Sequence, residues 1–148
     1  SYGPDYTKET DDIVTFYKPP LALQKAVWVD ADKDRHISQN DFLRLEFSRI
    51  LKDNFALGLN YQLASNAGDL WFSEEVDRTA FNPIASFTAS GSEFLIEFTA
   101  AADDDSFFPG SSTVGISQTN AVIEDFSGRK ANGTTGEYPG IEVIIKAE

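Results

Sequence analysis

Apolar and polar residues alternate along two stretches of the chain. In LRLEFS, residues 43–48, Leu43, Leu45 and Phe47 alternate with Arg44, Glu46 and Ser48. In EFLIEFT, residues 93–99, Phe94, Ile96 and Phe98 alternate with Glu93, Glu97 and Thr99, with Leu95 as the exception. A repeat of two puts the apolar side chains on one face of an extended strand, whereas a helix would scatter them around its circumference. Further strand signals lie in IVTFY (13–17), ALQKAVWV (22–29), FALGLNYQL (55–63), STVGIS (112–117) and GIEVIIK (140–146). Turn chemistry separates them at Pro19-Pro20, Asn66-Ala67-Gly68-Asp69, Ser90-Gly91-Ser92, Pro109-Gly110 and Asn132-Gly133. About seven to nine short strands with no long helical period predict an all-β fold, an antiparallel β-sandwich. Residues 1–12 have no apolar period, so residues 1–20 read as a lead-in or linker with an edge strand, and residues 21–148 as one domain.

Composition narrows the class of function. A chain of 148 residues, 41% hydrophobic, buries the core of one ordinary domain. Its net charge of −12 repels a phosphate backbone or an anionic membrane surface, which argues against nucleic acid as a partner. With no Cys, disulfides and thiolate metal sites are excluded. A start at SYGP, without an initiator Met, a signal peptide or a long apolar run, reads as a piece of a larger protein and predicts no membrane insertion.

The chemistry concentrates in DADKDRHISQND, residues 30–41. An EF-hand-type calcium loop offers oxygens from positions 1, 3, 5, 7, 9 and 12, because Ca²⁺ takes about six to eight oxygens at about 2.3–2.6 Å. Counted from Asp30, these fall on Asp30, Asp32, Asp34, His36 (through its carbonyl), Ser38 (directly or through water) and Asp41, with Ile37 as the apolar residue between. Two positions depart from the pattern. Arg35 stands where Gly normally serves a turn that costs other residues about 1 kcal/mol. Asp41 stands where Glu would reach a bidentate pose more easily. Four carboxylates crowded in one loop repel one another without a cation, so the expectation is a calcium site weaker than that of a cytosolic sensor.

The order AVWVDADKDRHISQNDFLRLEFS, FLIEFT, FFPGSSTVGI, AVIEDFSGRKA resembles the immunoglobulin-like modules of bacterial and archaeal surface proteins, including adhesins and S-layer proteins. The matching segments are Asn40-Asp41-Phe42-Leu43 to Phe47-Ser48, Pro109-Gly110 to Val114, and Ile123-Glu124-Asp125 to Gly128, within residues 21–146. The resemblance implies a calcium-stabilised immunoglobulin-like sandwich on the cell surface or outside the cell, partnered by neighbouring modules of the same chain. The Asp loop is also similar to that of dockerin modules, but those follow it with a helix and repeat it.

Other candidates carry alternatives. Asp103, Asp104 and Asp105 read as a solvated turn or a second calcium site. Asp125 reads as a turn-former through its side chain. If Val27 and Val29 face the core, Trp28 faces outward; Trp71 opposes Leu70 and Phe72 in the same way, and an outward indole is a candidate contact for a sugar ring. Asn132-Gly133-Thr134 fits a glycosylation sequon. His36 is the sole histidine, and no nucleophile–base pair, phosphate cradle or His-Glu metal cluster accompanies it, so no enzyme is expected. The expected function is a calcium-clamped module of an adhesive or scaffold chain; the alternatives are polysaccharide binding or dockerin-like interaction with another surface protein.

Overall fold

A computed structural model describes residues 21–52, 70–73, 80–117, 123–131, 133–134 and 142–148. The strand expected at 13–17, that at 55–63, the lead-in 1–20 and the sequon at Asn132 lie outside the described residues, as do the turns at residues 19–20 and 66–69. Eight strands are described: β1 (Leu23–Val29), β2 (Phe42–Phe47), β3 (Leu70–Phe72), β4 (Phe81–Phe87), β5 (Glu93–Phe98), β6 (Thr113–Ser117), β7 (Gly133–Thr134) and β8 (Glu142–Ala147). The chain is all-β, with no α-helix among the described residues. Nor does any described helix have the length and apolarity to cross a membrane.

The predicted alternation holds in the central strands. Leu43, Leu45 and Phe47 of β2 are buried, as are Phe94, Ile96 and Phe98 of β5, and the two strands pair antiparallel with Leu43 opposite Ile96 and Leu45 opposite Phe94. β4 escaped the sequence reading because Pro83 interrupts it. Proline cannot donate to a ladder, and the strand accommodates it at the sheet's edge, where the register with β5 shifts between Phe81 and Ala85. Gly91 turns the chain between β4 and β5 at φ +76°, and a Cβ there would meet Ile50 at 3.1 Å.

Pairing direction differs from the expectation. The strands run in the order β3-β6-β8-β1-β2-β5-β4, with β7 beside β6. Most pairs are antiparallel, but β1–β8 and β6–β7 are parallel, so the sheet is mixed where an antiparallel sandwich was predicted. Periodicity encodes which face of a strand is buried, not the direction of its neighbour. β8 also changes partner along its length: Glu142, Val143 and Ile144 pair with β6, and Ile145, Lys146 and Ala147 with β1.

The sheet curls into a half-barrel. β3 and β4 are the two ends of the strand order, yet Phe72 of β3 and Phe81 of β4 stack at 6.0 Å. Phe81 also packs edge-on against Phe98 at 5.0 Å and stacks with Phe107 at 6.4 Å. These rings close the concave side over one buried cluster that runs from Leu21 to Ile145.

Asp125 forms the turn expected of it. Its Oδ1 accepts the Ser127 amide at 2.9 Å, the Ser127 hydroxyl at 2.7 Å and the Arg129 amide at 3.0 Å, and Glu124 bridges Lys130 across the turn. Burial pushes its carboxyl up, but these hydrogen bonds and the nearby Arg49 guanidinium outweigh it and hold it below the ordinary 3.8. A lowered carboxyl stabilises the fold above its unfolded value, and that stability is lost as pH falls through the folded value. Asp125→Ala is expected to cost about 1–2 kcal/mol at neutral pH. Acid unfolding followed by tryptophan fluorescence should show a flatter pH dependence below about pH 4 in the variant, and an unchanged acid limb would refute the assignment.

Candidate metal centre

The loop of residues 30–41 joins β1 to β2, whose register sets Val29 opposite Phe42 and Trp28 opposite Leu43. Its own carboxylates fold it. Asp30 Oδ1 accepts the amides of Lys33 at 2.7 Å and Asp34 at 3.3 Å, and its Oδ2 accepts the Arg35 amide at 2.7 Å. Asp32 accepts the Asp34 amide at 3.2 Å, and Asp34 the His36 amide at 2.8 Å. Short acidic side chains form such local bonds readily, and they hold Lys33 and Arg35 in the left-handed region at φ 62° and 68°. Arg35 thus adopts at the sixth position the conformation for which Gly is usual.

Asp41 anchors the loop to the core. It is fully buried. Its Oδ2 accepts the Trp28 indole N–H at 3.0 Å and the Ser38 amide at 3.2 Å, and its Oδ1 accepts the Ala31 amide at 2.9 Å. A carboxylate has about four acceptor positions, so three are taken and one is left, enough for a single bond to an ion and not for a bidentate one.

One oxygen each from Asp30, Asp32 and Asp41 lies within 4.8 Å of the others. Oxygens at about 2.3–2.6 Å from a common ion stand up to about 5 Å apart, so one ion can touch all three. The carboxylates already feel one another. Desolvation pushes Asp30 up, but the amides it accepts and its contact with Asp32 outweigh this and leave it below its ordinary value. The Asp34 amide pulls Asp32 down, but desolvation and the carboxylates of Asp30 and Asp34 prevail and raise it. A divalent cation relieves the same repulsion that a proton on Asp32 would relieve.

The other predicted ligands are placed differently. Asp34 is not part of the three-carboxylate group, its Oδ1 being turned to the His36 amide. The Ser38 hydroxyl is buried without a hydrogen-bond partner among the described residues, next to Asp41 through the amide bond above. The His36 ring points away to Asp104, Nδ1 to Oδ2 at 2.7 Å, and that hydrogen bond, with the charge of Asp104, raises the His36 pKa.

Residues 103–105 form no second metal cluster among the described residues. Asp103 caps its own turn by accepting the Asp105 amide at 3.0 Å, while Asp104 reaches the calcium-type loop and accepts the Ile37 amide at 2.8 Å. That brace was missed in the sequence, because nothing local to Asp104 reports a partner 67 residues away. A signal existed in the buried Ile37, the one large apolar residue of the loop, whose amide needs a partner.

Trp28 corrects an expectation. It is 8% exposed, on the same side as Ala26, so it offers no face to a sugar. AVWV is apolar throughout, so alternation could not choose its face; the buried Asp41 acceptor does. Trp71 lies opposite the buried Leu70 and Phe72 as predicted, but it is half-buried and its indole N–H is enclosed without a partner among the described residues. The segment after the loop is the strand β2, so the helix that a dockerin-like module requires is not there.

Comparison of the chain with family models, curated proteins and solved structures gives no match.

Proposed function

We propose that this protein is a non-catalytic module in which calcium, held at the β1–β2 loop, acts as a structural clamp within an extracellular or cell-surface chain. The observation that carries this reading is the convergence of Asp30, Asp32 and Asp41, one of them buried, at the end of a hairpin whose two strands line the core. Oxygen donors without imidazole or thiolate suit a hard cation such as Ca²⁺. The enclosed and unpartnered Ser38 hydroxyl offers a further oxygen beside them. Asp30, Asp32 and Asp41 would hold the ion, with Ser38 and the His36 carbonyl completing the shell. An immunoglobulin-like sandwich belongs to the same reading, supported by the two sheet ends that meet through Phe72 and Phe81. Neighbouring modules of the same chain are the partners, and the role is adhesive or scaffolding.

A site of three aspartates with non-Gly residues in strained turns binds at about 10⁻⁵–10⁻³ M, an affinity filled outside cells, where calcium is millimolar. Binding to the folded loop alone stabilises the domain by about 2.7 kcal/mol at a hundredfold excess over the dissociation constant. Isothermal titration of chelator-stripped protein should therefore show one site, and melting should rise by several degrees with calcium. Asp32→Ala should lose both effects while keeping the fold, because Asp32 is exposed and makes only a local bond. Absence of heat at millimolar calcium would reduce the loop to a turn. Binding without any change in melting would sink the clamp.

A further inference from the structure

The peptide unit between His36 and Ile37 is held from outside its loop. Its N–H donates to Asp104 Oδ1 at 2.8 Å, and the ring of His36 bonds the other oxygen of the same carboxylate. Asp104 comes ready placed for this. It stands in a tight turn in which the Ser106 amide donates to the Asp103 carbonyl and the Asp103 amide to the Ser106 hydroxyl, both at 3.0 Å, and Ser106 and Phe107 behind it are buried. Ile37, 4% exposed, fixes the other partner in the core. The peptide bond is trans, and in a trans unit N–H and C=O point in opposite directions. The His36 carbonyl is therefore turned away from Asp104, and it accepts no hydrogen bond among the described residues. Two places on, the Ser38 hydroxyl is likewise enclosed without a partner among the described residues. These two oxygens without donors fall where a calcium-type loop takes its seventh and ninth ligands.

We propose that Asp104 is a positioning residue of the metal centre: from outside the loop it aims the His36 carbonyl at the ion, without touching the ion itself. This role presupposes the calcium reading of the loop. Asp104 acts in two ways. Holding the N–H fixes the direction of the C=O, because the planar peptide turns as one body. A charged acceptor on the N–H also polarises the unit and makes its carbonyl oxygen a stronger donor to a hard cation. Residues that orient metal ligands in this way are worth about 10–100-fold in metal affinity. Of the acids at 103–105, Asp104 alone bonds the loop among the described residues, Asp103 being turned to the Asp105 amide.

Positioning and charge separate in two variants. Asp104→Ala removes both, whereas Asp104→Asn removes the charge and keeps an oxygen for the Ile37 amide. The Asp104 side chain is 58% exposed, so both should fold, as cooperative melting in chelator would show. Calcium should bind Asp104→Ala about tenfold or more weakly than the wild type by isothermal titration. Terbium in place of calcium reports the shell, since its luminescence lifetimes in H₂O and D₂O count bound waters, and the Trp28 indole, bonded to Asp41, serves to excite it. Asp104→Ala should carry one more water than the wild type, in place of the lost carbonyl, and Asp104→Asn should keep the wild-type count. In the wild type, calcium should shift the His36 carbonyl ¹³C resonance. Unchanged affinity and water count in Asp104→Ala, or a His36 carbonyl that calcium leaves unshifted, would overturn the positioning role and leave the calcium site standing. Equal losses of affinity in both variants with no added water would overturn it too, reducing Asp104 to a distant charge. If the wild type binds neither calcium nor terbium, the calcium reading fails and this role falls with it.

Discussion

Truncation of Phe81 to alanine is expected to lower the unfolding free energy by about 4 kcal/mol, within the range of about 3–5 kcal/mol for emptying a buried phenylalanine site. Phe81 is 3% exposed and touches Phe72, Phe98 and Phe107, so its loss opens a cavity and removes three ring contacts together. The position matters as much as the volume. Phe81 starts one edge strand and Phe72 lies in the other, and among the described residues no backbone ladder joins them, so the packing of these rings brings the two ends of the curl together. Against a typical total of about 5–15 kcal/mol, the variant would be marginal. Phe81→Leu should cost well under half as much, because it refills most of the space. Phe126→Ala, at a ring that is 70% exposed, should stay within about 0.5 kcal/mol. Urea unfolding of the three variants would decide the matter, and similar midpoints for Phe81→Ala and Phe126→Ala would show that the curl does not rest on this cluster.

Asp41→Ala is expected to cost about 3 kcal/mol in chelator, before any metal is considered. The change deprives three donors at once: the Trp28 indole N–H and the amides of Ala31 and Ser38. A buried donor left without a partner costs about 1–3 kcal/mol. The indole is the worst placed of the three, since its hydrogen bond is buried while the two amides are partly open to water. In a domain of this size the loss corresponds to a fall in melting temperature of roughly 6–12 °C. Asp41→Asn keeps one carbonyl oxygen and should lose less. A double-mutant cycle with Trp28→Phe isolates the pair, with an expected coupling of about 1–3 kcal/mol. If Asp41→Ala melts within a degree or two of the wild type, Asp41 is not the anchor, and the loop's link to the core must lie in the Asp104 brace.

These results bear on calcium in one further way. Asp41 serves both the core and the candidate ion, so Asp41→Ala removes a ligand and a structural acceptor together and cannot separate the two roles. Asp30→Ala and Asp32→Ala are the cleaner tests, because the bonds of those residues stay within the loop.

Wherever a strand has one polar and one apolar face, the local pattern determined its burial. Leu43, Leu45 and Phe47, and Phe94, Ile96 and Phe98, went inside as their alternation required, because a pleated strand has only two sides. The aspartate spacing likewise anticipated the approach of Asp30, Asp32 and Asp41 to one point, but not that Asp34, expected with them, turns its Oδ1 to the His36 amide. Asp125 followed the same logic within its turn. The tertiary structure decided what depends on residues far apart in the chain. It made β8 a parallel neighbour of β1, closed the curl through Phe72 and Phe81, and turned Trp28 inward to a buried carboxylate. It also sent Asp104 across to the loop. Alternation is silent in an all-apolar run such as AVWV, and hydrogen-bond demand is met by whichever donor or acceptor the packed chain brings near. Such choices rest on long-range pairing, which no local window of sequence contains.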